Sequence, residues 1–413
     1  MRILYLADIR FPLERANGIQ SMATCHALAA RGHDVTLVVR PDSHTPARDP
    51  FAFYGLTRIA GLRVEIAPAA GPPVARRAGY VTYAIGRAMG RTRQDLIFTR
   101  DLGLASLLLR VPAALRAPVV YEAHGIAADV AAALPGLLTG ARVASPAKLE
   151  RLARRDAQVW SAADGYVTIT DGLARELNRR FGDRPRIAVV PDGARATEET
   201  DRPGRRSATD STDGADHLFT IGYAGHLYPW KGVDLVVEAV AALPDTHGLI
   251  VGGHEKEPDL ARVKALAEKR RCAARVTFTG PLPPAEVAAR LLEADVLALP
   301  NPASAISSTF TSPLKLFEYM ASNRPIVASD LPALREILRD GENALLVEPG
   351  SPQALTAGIA RIKNDAALGR RLAAQAVLDA AQFTWARRAE RLEALFTEVS
   401  APPTMRHRRD RLP

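Results

Sequence analysis

Residues 311–330, TSPLKLFEYMASNRPIVASD, gather polar chemistry where a helix opens. Ser312 has the side chain of an N-cap, and Pro313 suits the first helical position, where a missing N–H costs nothing. The backbone N–H groups at Leu314 and Lys315 would then face out of the helix start. The positive end of the helix dipole backs them, so such a terminus can hold a phosphate or another anion. Glu318 lies too deep to cap, but its carboxylate can accept hydrogen bonds from neighbouring hydroxyls. An anion at the tip with a hydroxylated group beside it suits a nucleotide, with diphosphate at the helix start and ribose at Glu318. The same stretch also reads as a capped helix with a surface Glu and Lys.

The elements that must position these residues alternate along the chain. In the first half the apolar runs RILYLAD, DVTLVVR, GLRVEIAP, DLIFTR, PVVYEAHG, DGYVTIT and RIAVVPDG read as strands, several of them preceded by helical stretches. Short apolar strands separated by helices predict βαβ units and a parallel sheet covered on both faces. Residues 194–217 are polar and rich in Gly, Pro, Ser and Thr, the composition of an interdomain linker. Alternation then resumes with LFTIGYAG, THGLIVGG, RVTFTG, DVLALP, PIVAS and ALLVEPG. The expected division is 1–193 as an N-terminal Rossmann-like domain, 194–217 as linker, and 218–383 as a second Rossmann-like domain. The Pro- and Arg-rich tail 401–413 is expected to fray. In open α/β sheets ligands sit beyond the carboxyl ends of the strands, so two facing domains predict one cleft.

Length and composition agree. At 413 residues, 47% apolar and 24% charged, the chain fits two soluble globular domains. No apolar run approaches the ~20 residues that cross a bilayer. The opening MRILYLADIR goes straight into a strand without the layout of a signal peptide. Two distant cysteines without metal-ligand spacing point to a reducing compartment, so a cytoplasmic location is expected. Residues 1–195 carry 27 Arg and Lys against 17 Asp and Glu, a net of +10, and the remainder 27 against 28, a net of −1. The excess has no nucleic-acid recognition motif organised around it, which argues against a nucleic-acid partner.

Taken in order, the motifs resemble the family-4 retaining glycosyltransferases of the GT-B fold. GYAGHLYPWKGVDLVVEAV and, about eighty residues on, SPLKLFEYMASNRPIVASDLPALREIL are similar to that family's C-terminal domain. NGIQSMATCHALAARGHDVTLVV resembles its N-terminal glycine loop and first helix, and VVPDGA its interdomain signature. FTWARRAERLEALF looks like its last helix, about 384–400, which crosses back onto the N-terminal domain. The resemblance implies transfer of a sugar from a nucleotide-sugar to an acceptor hydroxyl with retained configuration. It places Lys231 and the Leu314 N–H on the donor diphosphate, with Thr311, Ser312 and Pro313 in the same loop. Glu318 falls on the ribose, and Gly18 where the N-terminal loop nears the phosphates. His124 falls near the transferred sugar, and Gly280 and Leu282 along the base, walled by residues 251–258.

Two positions depart from the family. Phe310 stands where a Glu commonly grips the donor sugar, which leaves Thr309, Thr311 and backbone groups for that task. His226 stands where an Arg commonly meets the phosphates, and it carries charge only when protonated. The sequence has no DxD motif and no metal-ligating cluster, so neither a metal nor any other cofactor is expected and the nucleotide-sugar is a substrate. Residues 74–93, read as a helix, put Arg76, Arg77, Arg87 and Arg91 with Tyr80 and Tyr83 on one face, and Val81, Ile85 and Met89 on the other. The basic face is either a dock for an anionic membrane surface or an acidic, lipid-linked acceptor, or a solvated face over a core stripe. A catalytically silent nucleotide-sugar binder, or another GT-B enzyme such as an epimerase, is the alternative.

Overall fold

A computed structural model of the chain describes residues 1–68, 70–90, 94–195, 218–255, 257–310 and 312–401. Thr311, Arg91, nearly all of the expected linker 194–217 and all but the first residue of the tail 401–413 lie outside the described residues. The chain forms two compact units. Met1–Asp129, Ser145–Pro191 and the chain from Trp385 make the first, and Val130–Ala144 with Asp192–Thr384 the second.

The first unit holds a seven-stranded sheet of β1 (Arg2–Arg10), β2 (Asp34–Arg40), β3 (Leu62–Ile66), β4 (Leu96–Thr99), β5 (Val119–Ala123), β6 (Gly165–Thr168) and β7 (Ile187–Val189). All pairings are parallel, in the order β3-β2-β1-β4-β5-β6-β7. The second holds β8 (Phe219–Ala224), β9 (Thr246–Val251), β10 (Val276–Phe278), β11 (Val296–Leu299), β12 (Ile326–Ser329) and β13 (Leu345–Val347), also parallel, ordered β10-β9-β8-β11-β12-β13. Every apolar run expected to be a strand is one. Each sheet reverses its winding once, between β1 and β4 and between β8 and β11. Those points leave a crevice at the carboxyl ends of the strands.

The last helix, Trp385–Ser400, belongs to the first unit. Its stripe of Ala389, Leu392, Leu395, Phe396 and Val399 is buried in the same core as Leu28, Tyr5 and Phe98, and the Phe396 and Phe98 rings meet edge-on at 5.2 Å. Two features differ from expectation. Residues 130–144 cluster with the second unit, where Thr139 Oγ1 donates to Asp259 Oδ1 at 2.9 Å. The helix Pro73–Met89 turns a different face inward: Tyr80, Ala84 and Ala88 are buried, whereas Met89 is 40% exposed. Small alanines at four-residue spacing allow close packing that a hydropathy reading overlooks. Tyr80 Oη donates to the Val38 carbonyl, and Tyr83 Oη and Arg87 Nε both donate to Glu65. Arg77 reaches Asp101, so of the four arginines only exposed Arg76 fits the basic face as drawn, with Arg91 outside the described residues.

Candidate functional site

In the second unit the site is built on the loops after β8 and β11. The loop after β8 runs through a short 3-10 turn, Pro229–Lys231, into the helix Val233–Ala242. Gly232 makes that junction in the left-handed region, at φ 71°. A Cβ there would stand 1.9 Å from the Pro300 carbonyl oxygen in the loop after β11. Asn301 in the same loop is buried and donates from Nδ2 to the Trp230 carbonyl at 3.2 Å. The two loops are thereby clamped together through Trp230 and Gly232, the neighbours of Lys231 in sequence. Gly232→Ala is expected to lower the melting temperature of this unit by several degrees, since left-handed strain alone costs about 1–3 kcal/mol before the clash is relieved. Thermal unfolding checks this, and an unchanged melting temperature would show that the clamp yields freely.

Lys231 Nζ lies 3.7 Å from the centroid of the Trp230 ring and has no carboxylate partner among the described residues. Its surface is partly exposed, yet it is packed deeply enough that burial pushes its ammonium down to about 8. The helix Leu314–Ala321 opens beside this loop. Ala224, the last residue of β8, donates its N–H to Tyr319 Oη at 2.7 Å and pins the helix to the strand end. Pro313, not Ser312, is the N-cap, and no side chain caps the helix. Ser312 Oγ instead accepts from the Asp192 N–H at 3.4 Å, a contact within the second unit. The first N–H groups of the helix, at Leu314 and Lys315, therefore lack a side-chain acceptor among the described residues. Glu318 is partly exposed and its carboxylate makes no hydrogen bond among the described residues. Burial raises its pKa, against the pull of Arg195 and Lys315.

His226 has a partner. Its Nδ1 is 2.9 Å from Glu257 Oε1, and its ring stacks on Tyr228 at 4.8 Å. A histidine paired to a carboxylate adds little net positive charge, which departs from its expected part as a stand-in for a phosphate-binding Arg. Glu257 comes from the 251–258 segment, so that wall supplies a carboxylate. Gly280, at φ 74°, follows β10 and bridges to Gly252, and Leu282 packs half-buried against the core. Phe310 ends the short helix Ala305–Thr309 and is 5% exposed, so its ring belongs to the interior.

In the first unit His124 directly follows β5, with its Nε2 2.7 Å from Glu122 Oε1. A carboxylate only accepts, so Nε2 carries the proton and Glu122 fixes the tautomer. Gln20 Nε2 also donates to Glu122 Oε1, at 2.5 Å, and Arg100 donates to Gln20 Oε1. Beneath them Arg388, 2% exposed, donates from Nη2 to both Glu122 oxygens at 2.7 and 2.8 Å, from Nε to Thr24 Oγ1 and from Nη1 to the Val190 carbonyl. Burial alone would raise the Glu122 pKa, but Arg388 first, then His124 and Arg100, hold it well below the usual carboxylate range. Gly18 lies in the first turn of the helix Ala16–Ala30, not in an open loop. Its N–H already bonds to the Arg15 carbonyl at 2.9 Å, and a Cβ would meet the Leu13 carbonyl oxygen and Tyr54 Oη at 2.5 Å each. Packing by itself requires glycine there.

Sequence reasoning missed Glu122, Arg388 and the burial of Lys315. Strand alternation could have placed Glu122 on one face with His124. Arg388 stands on the apolar stripe of its helix, four residues before Leu392. Lys315 is the one cation in a helix whose other residues, Glu318 apart, are apolar.

Two family models match the chain: "Glycosyltransferase Family 4" over residues 19–197 and "Glycosyl transferases group 1" over residues 219–365. Among curated proteins it is similar to the D-inositol 3-phosphate glycosyltransferase of Nocardia farcinica, at 33% identity over 67% of this chain and 60% of that protein. The protein of the same name from Corynebacterium glutamicum is 30% identical over 61% and 62%. The chain thus spans about three fifths of the length of the curated relatives it matches. Among solved structures, sucrose-phosphate synthase from Thermosynechococcus elongatus superposes with a TM-score of 0.73 at 19% identity, over 97% of this chain and 99% of that one. Anabaena HepE in complex with UDP-glucose gives 0.70 at 19% identity over 96% and 100%.

Proposed function

Because this chain belongs to the family-4 glycosyltransferases and has their GT-B fold, we propose that it moves a sugar from a nucleotide-sugar donor to an acceptor hydroxyl with retained configuration. The observation that carries this reading is Lys231. It is a half-buried ammonium without a carboxylate partner among the described residues, beside a helix start that no side chain caps and a Glu318 carboxylate that makes no hydrogen bond there. In this reading the diphosphate lies at Lys231 and the Leu314 N–H, and the ribose hydroxyls donate to Glu318. Charge building on the leaving diphosphate is met by groups already in place, which is where such stabilisation is strongest. The acceptor hydroxyl attacks the anomeric carbon on the face that the diphosphate leaves, and its proton passes to a leaving phosphate oxygen. No protein nucleophile is assigned. Gly280 and Leu282 line the base, and His124 serves near the transferred sugar. The solved neighbour that holds UDP-glucose supports a nucleotide-sugar as the ligand, and the net positive first half supports an acidic acceptor.

A panel of nucleotides and nucleotide-sugars in a thermal-shift assay tests the reading, because a ligand at many times its Kd raises the melting temperature. Glu318→Ala is expected to leave the fold intact and to weaken binding of the stabilising nucleotide by about 10–100-fold, the worth of hydrogen bonds to a charged acceptor. Equal affinity by calorimetry would remove Glu318 from the site. The buried Phe310, where the family commonly has Glu, favours a second reading in which the chain binds the donor without transferring its sugar. Product formation in a donor-hydrolysis or acceptor screen separates the two.

A further inference from the structure

Lys315 sits one residue into the helix Leu314–Ala321, next to the N–H groups assigned to the diphosphate, yet it is only 9% exposed. Its side chain runs inward to the end of β8. Nζ lies 3.8 Å from the centroid of the Tyr223 ring and 4.0 Å from where a side chain on Gly225, at the start of the Lys231 loop, would begin. No hydrogen-bond acceptor reaches Nζ among the described residues. Glu318, one turn further on, attracts its charge, and Lys231 repels it. An ammonium in this setting has given up water without gaining an acceptor, which is costly. The Tyr223 face returns part of that cost but offers no lone pair.

We propose that Lys315 is a second cation of the diphosphate site, whose missing acceptors are phosphate oxygens of the ligand. The inference rests on the nucleotide-sugar reading and adds a ligand to the same site. Lys231 and Lys315 approach it from two elements, the loop after β8 and the helix Leu314–Ala321, with Leu314 between them in the bonding scheme. The absent side chain of Gly225 leaves the space beside Nζ open. Before ligand binds, burial and the neighbouring Lys231 hold the Lys315 pKa well below its usual value; an anion in the site reverses that balance. A lysine that only filled space against Tyr223 would be replaceable by methionine of similar length without effect on anions.

The test is calorimetric titration of the full chain, wild type and Lys315→Met, with UDP, GDP and inorganic pyrophosphate, and with uridine and guanosine as phosphate-free controls. The diphosphate that binds wild type is expected to lose about 10–100-fold in affinity on Lys315→Met, with the matching nucleoside unchanged and Lys315→Arg retaining most of the affinity. Unchanged diphosphate affinity in Lys315→Met overturns the inference alone. An equal loss for the nucleoside also overturns it, since the lysine would then only shape the pocket. Should Lys315→Met fail to fold, Lys315→Gln serves in the same titrations. No binding of any diphosphate or of pyrophosphate by wild type overturns the nucleotide-sugar reading together with this inference.

Discussion

Arg388→Met is expected to lower the melting temperature of the first unit by of the order of 10 °C. The substitution leaves Glu122 fully buried without its cation, and breaking one partner of a buried pair typically costs about 3–5 kcal/mol. The Val190 carbonyl and Thr24 Oγ1 lose their donor as well. Scanning calorimetry of Arg388→Met, Glu122→Leu and the double variant checks the argument. The double variant should be less damaged than the sum of the singles, because removing both charges removes the desolvation penalty along with the attraction. Acidification supplies a second check. The folded-state pKa of Glu122 is depressed from 4.5, so its contribution is fully present above about 4.5 and is lost as pH falls below it. Wild type should therefore lose more stability than Arg388→Met on going from pH 6 to pH 3. A shift of less than about 2 °C in Arg388→Met would show that the pair stabilises little. The chemical consequence is that Glu122, and so the His124 tautomer, depends on a side chain from the last helix. Glu122→Gln should accordingly disturb the His124 ring resonances.

Lys231→Ala is expected to remove most of the transfer activity, by about 100–1000-fold in kcat, the usual cost of losing one preorganised charge-stabilising donor. Burial holds the Lys231 ammonium at about 8. Its charge is present below that pH and disappears above it, so wild-type affinity for a nucleoside diphosphate should fall between roughly pH 7 and 9, with the bound anion moving the midpoint upward. Lys231→Ala should bind weakly across the range, and Lys231→Arg should keep its affinity at high pH. With the diphosphate charge met by protein cations, activity should survive EDTA. Strong EDTA inhibition rescued by magnesium would contradict that account, and Lys231→Ala with wild-type kcat would remove Lys231 from the chemistry.

The placement in the fold of the residues proposed for the donor was legible in the sequence. Lys231, Leu314 and Glu318 lie at the carboxyl ends of the neighbouring strands β8 and β11, which is where strand patterning and motif order together put them. Ser312 shows the limit of local rules. Its side chain fits an N-cap, but the Asp192 N–H, 120 residues away, takes it instead. His226 shows the same limit, since its ring nitrogen meets the carboxylate of Glu257, 31 residues on.

What the sequence by itself determined is the periodic part: thirteen apolar runs became thirteen parallel strands, and a charge-poor stripe became the buried face of Trp385–Ser400. Hydropathy period is a property of consecutive residues, so it survives without knowledge of what packs on them. The tertiary structure alone decided which charges are answered. Arg388 and Glu122 stand 266 residues apart and meet only because the last helix packs against the helix Ala16–Ala30 and against β6 and β7 in the first unit's core. Lys315 is a surface lysine by composition and a buried one by position, because Tyr319 ties its helix to the end of β8 and carries Nζ onto Tyr223. Gly18 reads as an open-loop glycine until Leu13 and Tyr54 close on it. The physical reason is common to all three. The cost of a charge or a Cβ is set by the atoms around it in space, and those come from parts of the chain that no local window contains.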